Sequence, residues 1–96
     1  MIYNVYHIEM KYIDWDDAKN EWLIKTRGIS FDLCALYITR GDIIGVVKNH
    51  SPFEHQKVFL INIDGYVYKV PYVEDDEKYF LKTVYPSRVA TKRYLQ

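Results

Sequence analysis

Cysteine, glycine and proline are scarce in this chain of 96 residues. The single cysteine, Cys34, excludes an intramolecular disulfide and a closed zinc site at any recognised spacing. The four glycines are scattered, so there is no glycine-rich phosphate loop. Uncharged runs such as Leu33 to Thr39 are far shorter than the ~20 residues that span a bilayer. With no secretory signature at the N-terminus, these absences predict a cytoplasmic protein without a membrane segment, a bound metal or a cofactor.

Neither sign of charge is in excess. Thirteen Lys and Arg balance thirteen Asp and Glu, which argues against a generically basic nucleic-acid binder. The charges are nevertheless separated along the chain, because acids cluster at residues 14–17 and 74–77 while residues 78–96 contain no acid. A ligand meets the local field rather than the total charge, so the C-terminal stretch is locally basic. Its cations are Lys78, Lys82, Arg88, Lys92 and Arg93.

Apolar residues are plentiful and indicate a folded domain. They make up 49% of the chain and aromatic residues 17%, which excludes intrinsic disorder as the general state. Organised patterning begins after Met10, so residues 1–9 are interpreted as a prefix and residues 10–96 as a single domain. Residues 11–13 form a short extended piece before the first helix.

The first half of the domain has a helical pattern. Asp14 is expected to cap a helix from Trp15 to Arg27, with both tryptophans in the core and Gly28 as its left-handed end. Ser30 is expected to cap a second helix that ends at Gly41. The apolar face of this second helix consists of Phe31, Cys34, Ala35 and Ile38.

The second half has the alternating apolar pattern that is typical of strands. The predicted elements are strands at 43–47, 57–63, 66–73 and 79–85 and a last helix at 88–95. Asp64 and Gly65 form a two-residue hairpin signal. The predicted order α-α-β-β-β-β-α implies an antiparallel meander, hence an α+β domain with its helices packed on one face of the sheet.

Two kinds of residue in this half are candidates for a functional site. His50 and His55 lie in the loop at 49–56, and histidine is suited to general acid or base catalysis because it titrates near neutrality. Basic residues and tyrosines interleave after Lys57, a mixture that suits single-stranded RNA. The simpler alternative is surface histidines, a solvated basic face and core aromatics. The acids at 14–17 are explained by helix capping and Cys34 by burial.

The two ends of the domain resemble one known family. Asp-Trp-Asp-Asp-Ala-Lys-Asn at 14–20, Lys-Thr-Arg-Gly-Ile-Ser-Phe at 25–31 and the segment 80–94 are similar to motifs of BrnT-family toxins. The chain departs from the family where it has Arg27 in place of a histidine, and where His55-Gln56-Lys57 stands in place of Glu-Glu-Arg.

That resemblance implies a compact fold like that of RelE toxins and a role in a type II toxin–antitoxin pair. The activity it implies is that of a metal-independent ribonuclease that cleaves RNA and halts translation. The implied partner is a small CopG-like DNA-binding antitoxin, through which alone the complex would contact DNA.

A mechanism follows as a hypothesis if the chain cleaves RNA without metal. Arg88 would clamp the phosphate, Lys57 would stabilise charge, His50 or His55 would move the proton, and Tyr85 would be a second acid. Flanking phosphates would be held by Arg27, Lys82, Lys92 and Arg93. The alternative function is a catalytically weak or inactive binding module that only pairs with its partner.

Overall fold

A computed structural model describes residues 11–96, and the predictions about the prefix 1–9 and Met10 lie outside this range. The described residues form six strands and three helices. In chain order they are β1 (Tyr12–Asp14), α1 (Asp17–Arg27), α2 (Phe31–Thr39), β2 (Gly45–Lys48), β3 (Lys57–Ile63), β4 (Tyr66–Glu74), β5 (Lys78–Leu81), β6 (Tyr85–Pro86) and α3 (Arg88–Leu95).

The strands form one mixed sheet. Its order is β1-β5-β4-β3-β2, and β6 pairs with β4 beyond the end of β5. Strands β2 to β5 are antiparallel neighbours as predicted, which confirms the α+β class, but β1 pairs in parallel with β5. The prediction of a purely antiparallel four-stranded meander is therefore wrong. A three-residue parallel strand pairs with residues far along the chain, and the local pattern of residues 11–13 contains no sign of that partner.

The predicted strand at 79–85 is two strands. β5 ends at Leu81, and Tyr85 of β6 pairs with Lys69. Residues 82–84 between them, called the β5–β6 step below, run along the edge of β4. The Lys82 N–H donates to the Pro71 carbonyl (2.8 Å), and the Val84 side chain is fully buried in the step. Proline is compatible with strand structure at such an edge, so Pro86 belongs to β6 and does not simply end the strand.

Helices cover both faces of the sheet, so the prediction that they share one face is wrong. On one face, Phe59 and Ile61 of β3 pack in a core with Leu23 of α1 and Cys34 of α2. On the other face, Leu60 belongs to a smaller core with Ala90 of α3. The cause is visible in β3, where both sets of alternating side chains are apolar and buried.

The predicted turn signals are largely confirmed. Gly28 ends α1 with φ +67°, and the Ser30 hydroxyl accepts the Leu33 N–H at 3.1 Å at the start of α2. Asp64 and Gly65 form the β3–β4 turn with φ +53° and +83°, as a two-residue hairpin turn requires. The cap of α1 is Asp16 rather than Asp14, so this helix begins two residues later than expected.

The two tryptophans differ in burial. Trp15 stacks on Phe31 with ring centroids 5.8 Å apart and packs against the larger core, as predicted. Trp22 is 44% exposed, and the buried position of α1 is Leu23. The prediction of a buried Trp22 is wrong because the helix turns the next residue inward. Within residues 11–96, no helix has both the length and the apolar composition needed to cross a bilayer.

Candidate active site

The loop between β2 and β3 is closed by a buried pair of side-chain amides. The Asn49 N–H donates to the Gln56 carbonyl at 3.0 Å, and Asn49 Nδ2 donates to Gln56 Oε1 at 3.1 Å. Inside this closure the Phe53 N–H donates to the His50 carbonyl at 2.8 Å, and the Gln56 N–H donates to the Phe53 carbonyl at 2.9 Å. These bonds fix the loop, so the position of His50 is set by the backbone.

His50 opens onto a small cavity between this loop and the β5–β6 step. Its volume is about 200 Å³, and it joins the loop to side chains of β4, β6 and the step. Three of the sequence-predicted residues meet here, namely His50, Lys82 and Tyr85. The other residues that line this cavity, called the candidate active site below, are Asn49, Phe53, Gln56, Pro71 and Thr83.

The His50 ring has a defined tautomer when it is neutral. Its Nδ1 lies 3.1 Å from the Ser51 carbonyl oxygen, and a carbonyl oxygen only accepts. Nδ1 therefore carries the hydrogen, which leaves the lone pair on Nε2. The Phe53 ring meets the imidazole edge-on, with centroids 6.3 Å apart. Nε2 is thus suited to accept a proton from a bound ligand.

Tyr85 supplies a proton donor to the same cavity. Burial raises the pKa of this half-buried phenol above its usual value, and the positive charge of Arg27 opposes the shift without cancelling it. The phenol therefore carries its proton throughout the neutral pH range.

Arg27 is a positioned cation next to the β5–β6 step, which lines one side of the cavity. Its guanidinium lies over the Trp22 ring, 5.0 Å from the centroid. Nη1 donates to the Val84 carbonyl at 2.6 Å and approaches the Thr83 hydroxyl at 3.4 Å. Among the described residues Arg27 has no carboxylate partner, so its charge is not neutralised within residues 11–96.

Lys82 brings a second cation to the cavity. Its position follows from the backbone bond to Pro71, and its Nζ lies 5.5 Å from the centroid of the Phe80 ring. The side chain is exposed and makes no ion pair within residues 11–96, so its ammonium is available to a ligand. The cavity therefore brings together a histidine, a tyrosine and a lysine, with Arg27 next to it.

Lys57 is placed away from this cavity. It donates to Glu74 at 3.0 Å, and its register partner Tyr72 belongs to the core that faces α1 and α2. Tyr85 instead pairs with Lys69, whose side chain is on the α3 face of β4. Since paired residues project from the same face, Lys57 and Tyr85 lie on opposite faces of the sheet.

Arg88 and His55 are also outside the candidate active site. Arg88 is exposed at the first position of α3, and Pro86, shortly before it in the chain, pairs with Tyr68. Tyr68 is four residues from the partner of Lys57, or about 13 Å along β4. The structure therefore does not bring Arg88 and Lys57 together as the sequence-based mechanism requires. His55 is exposed in the loop and does not line the cavity.

The remaining predicted cations lie on α3. Lys92 is exposed one turn after Arg88, so these two share a helix face. Arg93 is on another face and lines a second groove, about 220 Å³, between α3 and the sheet. Sequence reasoning missed Thr83, Asn49 and Gln56, whose neighbours in space are set by the β5–β6 step and the loop closure.

No other cluster in the described range offers comparable chemistry. Cys34 is fully buried, and burial raises the pKa of its thiol to about 12, so it is not a nucleophile at neutral pH. Among residues 11–96, no three His, Cys, Asp or Glu side chains approach closely enough to hold a metal ion. Comparison with family models, with curated proteins and with solved structures gave no match.

Proposed function

We propose that this chain is a metal-independent endoribonuclease that acts as the toxin of a type II toxin–antitoxin pair. The observation that supports it best is the meeting of His50, Tyr85 and Lys82 at one cavity, with the positioned cation Arg27 beside it. Cleavage of RNA by its own 2′-hydroxyl needs a base, an acid and stabilisation of negative charge, and these side chains supply all three.

The proposed reaction balances without another reactant. His50 Nε2 takes the proton of a ribose 2′-hydroxyl, and that oxygen attacks the adjacent phosphorus. The bond from phosphorus to the 5′ oxygen of the next nucleotide breaks, and Tyr85 donates its proton to the departing oxygen. The products are a 2′,3′-cyclic phosphate and a 5′-hydroxyl end. Lys82 and Arg27 stabilise the charge that accumulates on the phosphate oxygens.

This proposal changes the roles that the sequence suggested. His50 becomes the base in preference to His55, because His50 lines the cavity. Lys57 has no part in the reaction, because it pairs with Glu74 on the other face. Arg88 and Lys92, exposed on one face of α3, contact phosphates that flank the scissile one.

The partner and the setting of the proposed toxin rest on the resemblance to BrnT-family toxins. The fold is proposed to be RelE-like, the compartment the cytoplasm, and the partner a small CopG-like antitoxin that makes the DNA contacts. Large exposed apolar side chains on the two N-terminal helices support a protein partner. They are Trp22, Ile24 and Leu36.

Controlled expression in a bacterial host tests the proposal. We expect growth arrest and loss of messenger RNA on induction, and we expect His50→Gln to abolish both. A general base contributes about 10²–10⁴-fold, so the variant should be inert at the same expression level. His55→Gln is the matched variant, with the same change in the same loop, and should still arrest growth.

Two outcomes would contradict the proposal. Growth that continues on induction of the wild-type chain, at a protein level equal to that of an active control toxin, favours the binding module. Arrest that survives His50→Gln but not His55→Gln would place the base outside the cavity.

A further inference from the structure

A second basic groove adjoins the candidate active site. It lies between α3 and strands β2 to β4, with a volume of about 220 Å³. Its polar wall holds two cations from different elements, Lys69 of β4 and Arg93 of α3. Its apolar wall consists of Val47, Leu60, Val89, Ala90 and Tyr94. Lys48 borders the groove at the end of β2, but it is the register partner of Lys57, so its side chain projects from the opposite face.

The two cations of this groove have no acidic counterpart among the described residues. No carboxylate lines the groove, and Lys69 and Arg93 make no ion pair within residues 11–96. Cations held around one small groove repel each other, and the cost is larger next to an apolar wall than in open water. An anion in the groove would offset that repulsion.

The groove lies next to the candidate active site. Lys48 precedes Asn49 and His50 directly in the chain, and Asn49 already lines the cavity. Across the sheet, Lys69 is the register partner of Tyr85. Paired residues on neighbouring strands have their Cα atoms about 5 Å apart, so the proposed acid and a groove cation stand side by side.

We propose that this groove is a subsite for the nucleotide next to the scissile phosphate of single-stranded RNA, an inference that rests on the proposed function. The phosphate of that nucleotide lies between Lys69 and Arg93. Its base lies against the apolar wall, where the half-buried Tyr94 ring and the 71% exposed Val89 side chain offer a surface for a flat ring. The groove thereby holds one nucleotide beside the cleaved bond by both its phosphate and its base.

Binding of an uncleavable RNA separates this subsite from catalysis. The probe is a short fluorescent single-stranded RNA with every sugar 2′-O-methylated, and the readout is its Kd by fluorescence anisotropy over a series of salt concentrations. We expect Lys69→Gln with Arg93→Gln to raise Kd about tenfold and to reduce the salt slope by about 0.7 for each phosphate that is no longer neutralised. The matched control is Lys25→Gln with Arg40→Gln, which removes the same charge from exposed positions on α1 and at the end of α2.

Each result decides the inference. A tenfold loss of affinity confined to the groove pair supports it, even if the wild-type chain cleaves no RNA, in which case only the proposed function fails. Equal losses in both pairs would show a general effect of net charge and overturn the subsite. It is also overturned if the groove pair binds RNA normally but no longer binds a polyglutamate peptide, because the groove then serves an acidic protein. Circular dichroism confirms that both pairs are folded.

Discussion

At the scale of single residues, Tyr85 and Glu74 show how the fold sets the protonation of functional and structural groups. For Tyr85, burial raises the pKa and keeps the proton on the phenol at neutral pH although a guanidinium lies nearby. For Glu74, partial burial acts to raise the pKa, but hydrogen bonds from Lys11 and Lys57 at 2.9 and 3.0 Å and their two positive charges lower it overall. One group is held ready to donate a proton and the other is held ionised.

Replacing Tyr85 tests the acid of the proposed reaction. Tyr85→Phe keeps the ring and removes only the donor, so we expect the cleavage rate to fall about 10²-fold while RNA binding is unchanged. Because its pKa is raised above the usual 10.0, the phenol is lost as an acid only at higher pH. The wild-type rate should therefore show no decline between about pH 7 and pH 9 from this group. A Tyr85→Phe variant with the wild-type rate would exclude the assignment.

Glu74 makes stability depend on acid pH. Its pKa is lower in the folded than in the unfolded chain, so its contribution is present above the unfolded value near 4.5 and is lost as the pH falls through the folded value. We expect Glu74→Gln to lower the free energy of unfolding by about 1 kcal/mol at neutral pH. The difference should shrink towards zero well below pH 4.5. Urea denaturation at both pH values measures it, and a difference that grows in acid would contradict this role of Glu74.

At the scale of elements, α3 is fixed to the sheet by hydroxyl groups. The Ser87 hydroxyl accepts the Ala90 N–H at 3.1 Å and so caps the helix. The Thr91 hydroxyl donates to the Ser87 carbonyl at 2.7 Å and accepts the Val67 N–H of β4 at 2.8 Å. Because α3 carries Arg93 and one side of the basic groove, this anchor also positions the groove.

Removing one of these hydroxyls tests the anchor. Thr91→Val keeps the shape of the side chain but leaves the Val67 N–H without its acceptor, so we expect a loss of about 1–2 kcal/mol in the free energy of unfolding. Thr39→Val on the exposed end of α2 is the matched control and should change it by less than about 0.5 kcal/mol. Urea denaturation of the two variants measures both. Equal losses would show that the hydroxyl does not anchor α3.

The elements also show which features a sequence predicts. Caps and turns depend on a few neighbouring residues, so the sequence predicted the Ser30 cap, the end at Gly28 and the turn at Asp64 and Gly65. Pairing between distant segments does not depend on neighbouring residues alone. The sequence therefore missed the parallel strand β1 and the division at residues 82–84. The location of α3 on the second face was also missed, although the apolar run in β3 indicates it.

At the scale of the whole molecule, the sheet separates two kinds of charge. The face towards α1 and α2 uses Lys57 within an ion pair with Glu74, whereas the α3 face presents Lys69 and Arg93 in a groove without acids. Sequence spacing identified His50, Tyr85 and Lys82 as candidates. It also grouped Arg88 and Lys57 with them, because strand alternation and register decide the face and these are fixed only in the folded sheet.

The most direct measurement of the central claim is the chemistry of the RNA ends that the purified chain produces. A pool of single-stranded RNA of random sequence is incubated with the protein in excess EDTA, and the new ends are mapped. We expect 2′,3′-cyclic phosphate and 5′-hydroxyl ends, no cut at positions where the ribose is replaced by deoxyribose, and a rate at least about 10²-fold lower for His50→Gln. Intact RNA, 3′-hydroxyl ends, or equal cleavage by the His50→Gln variant would contradict the proposed reaction.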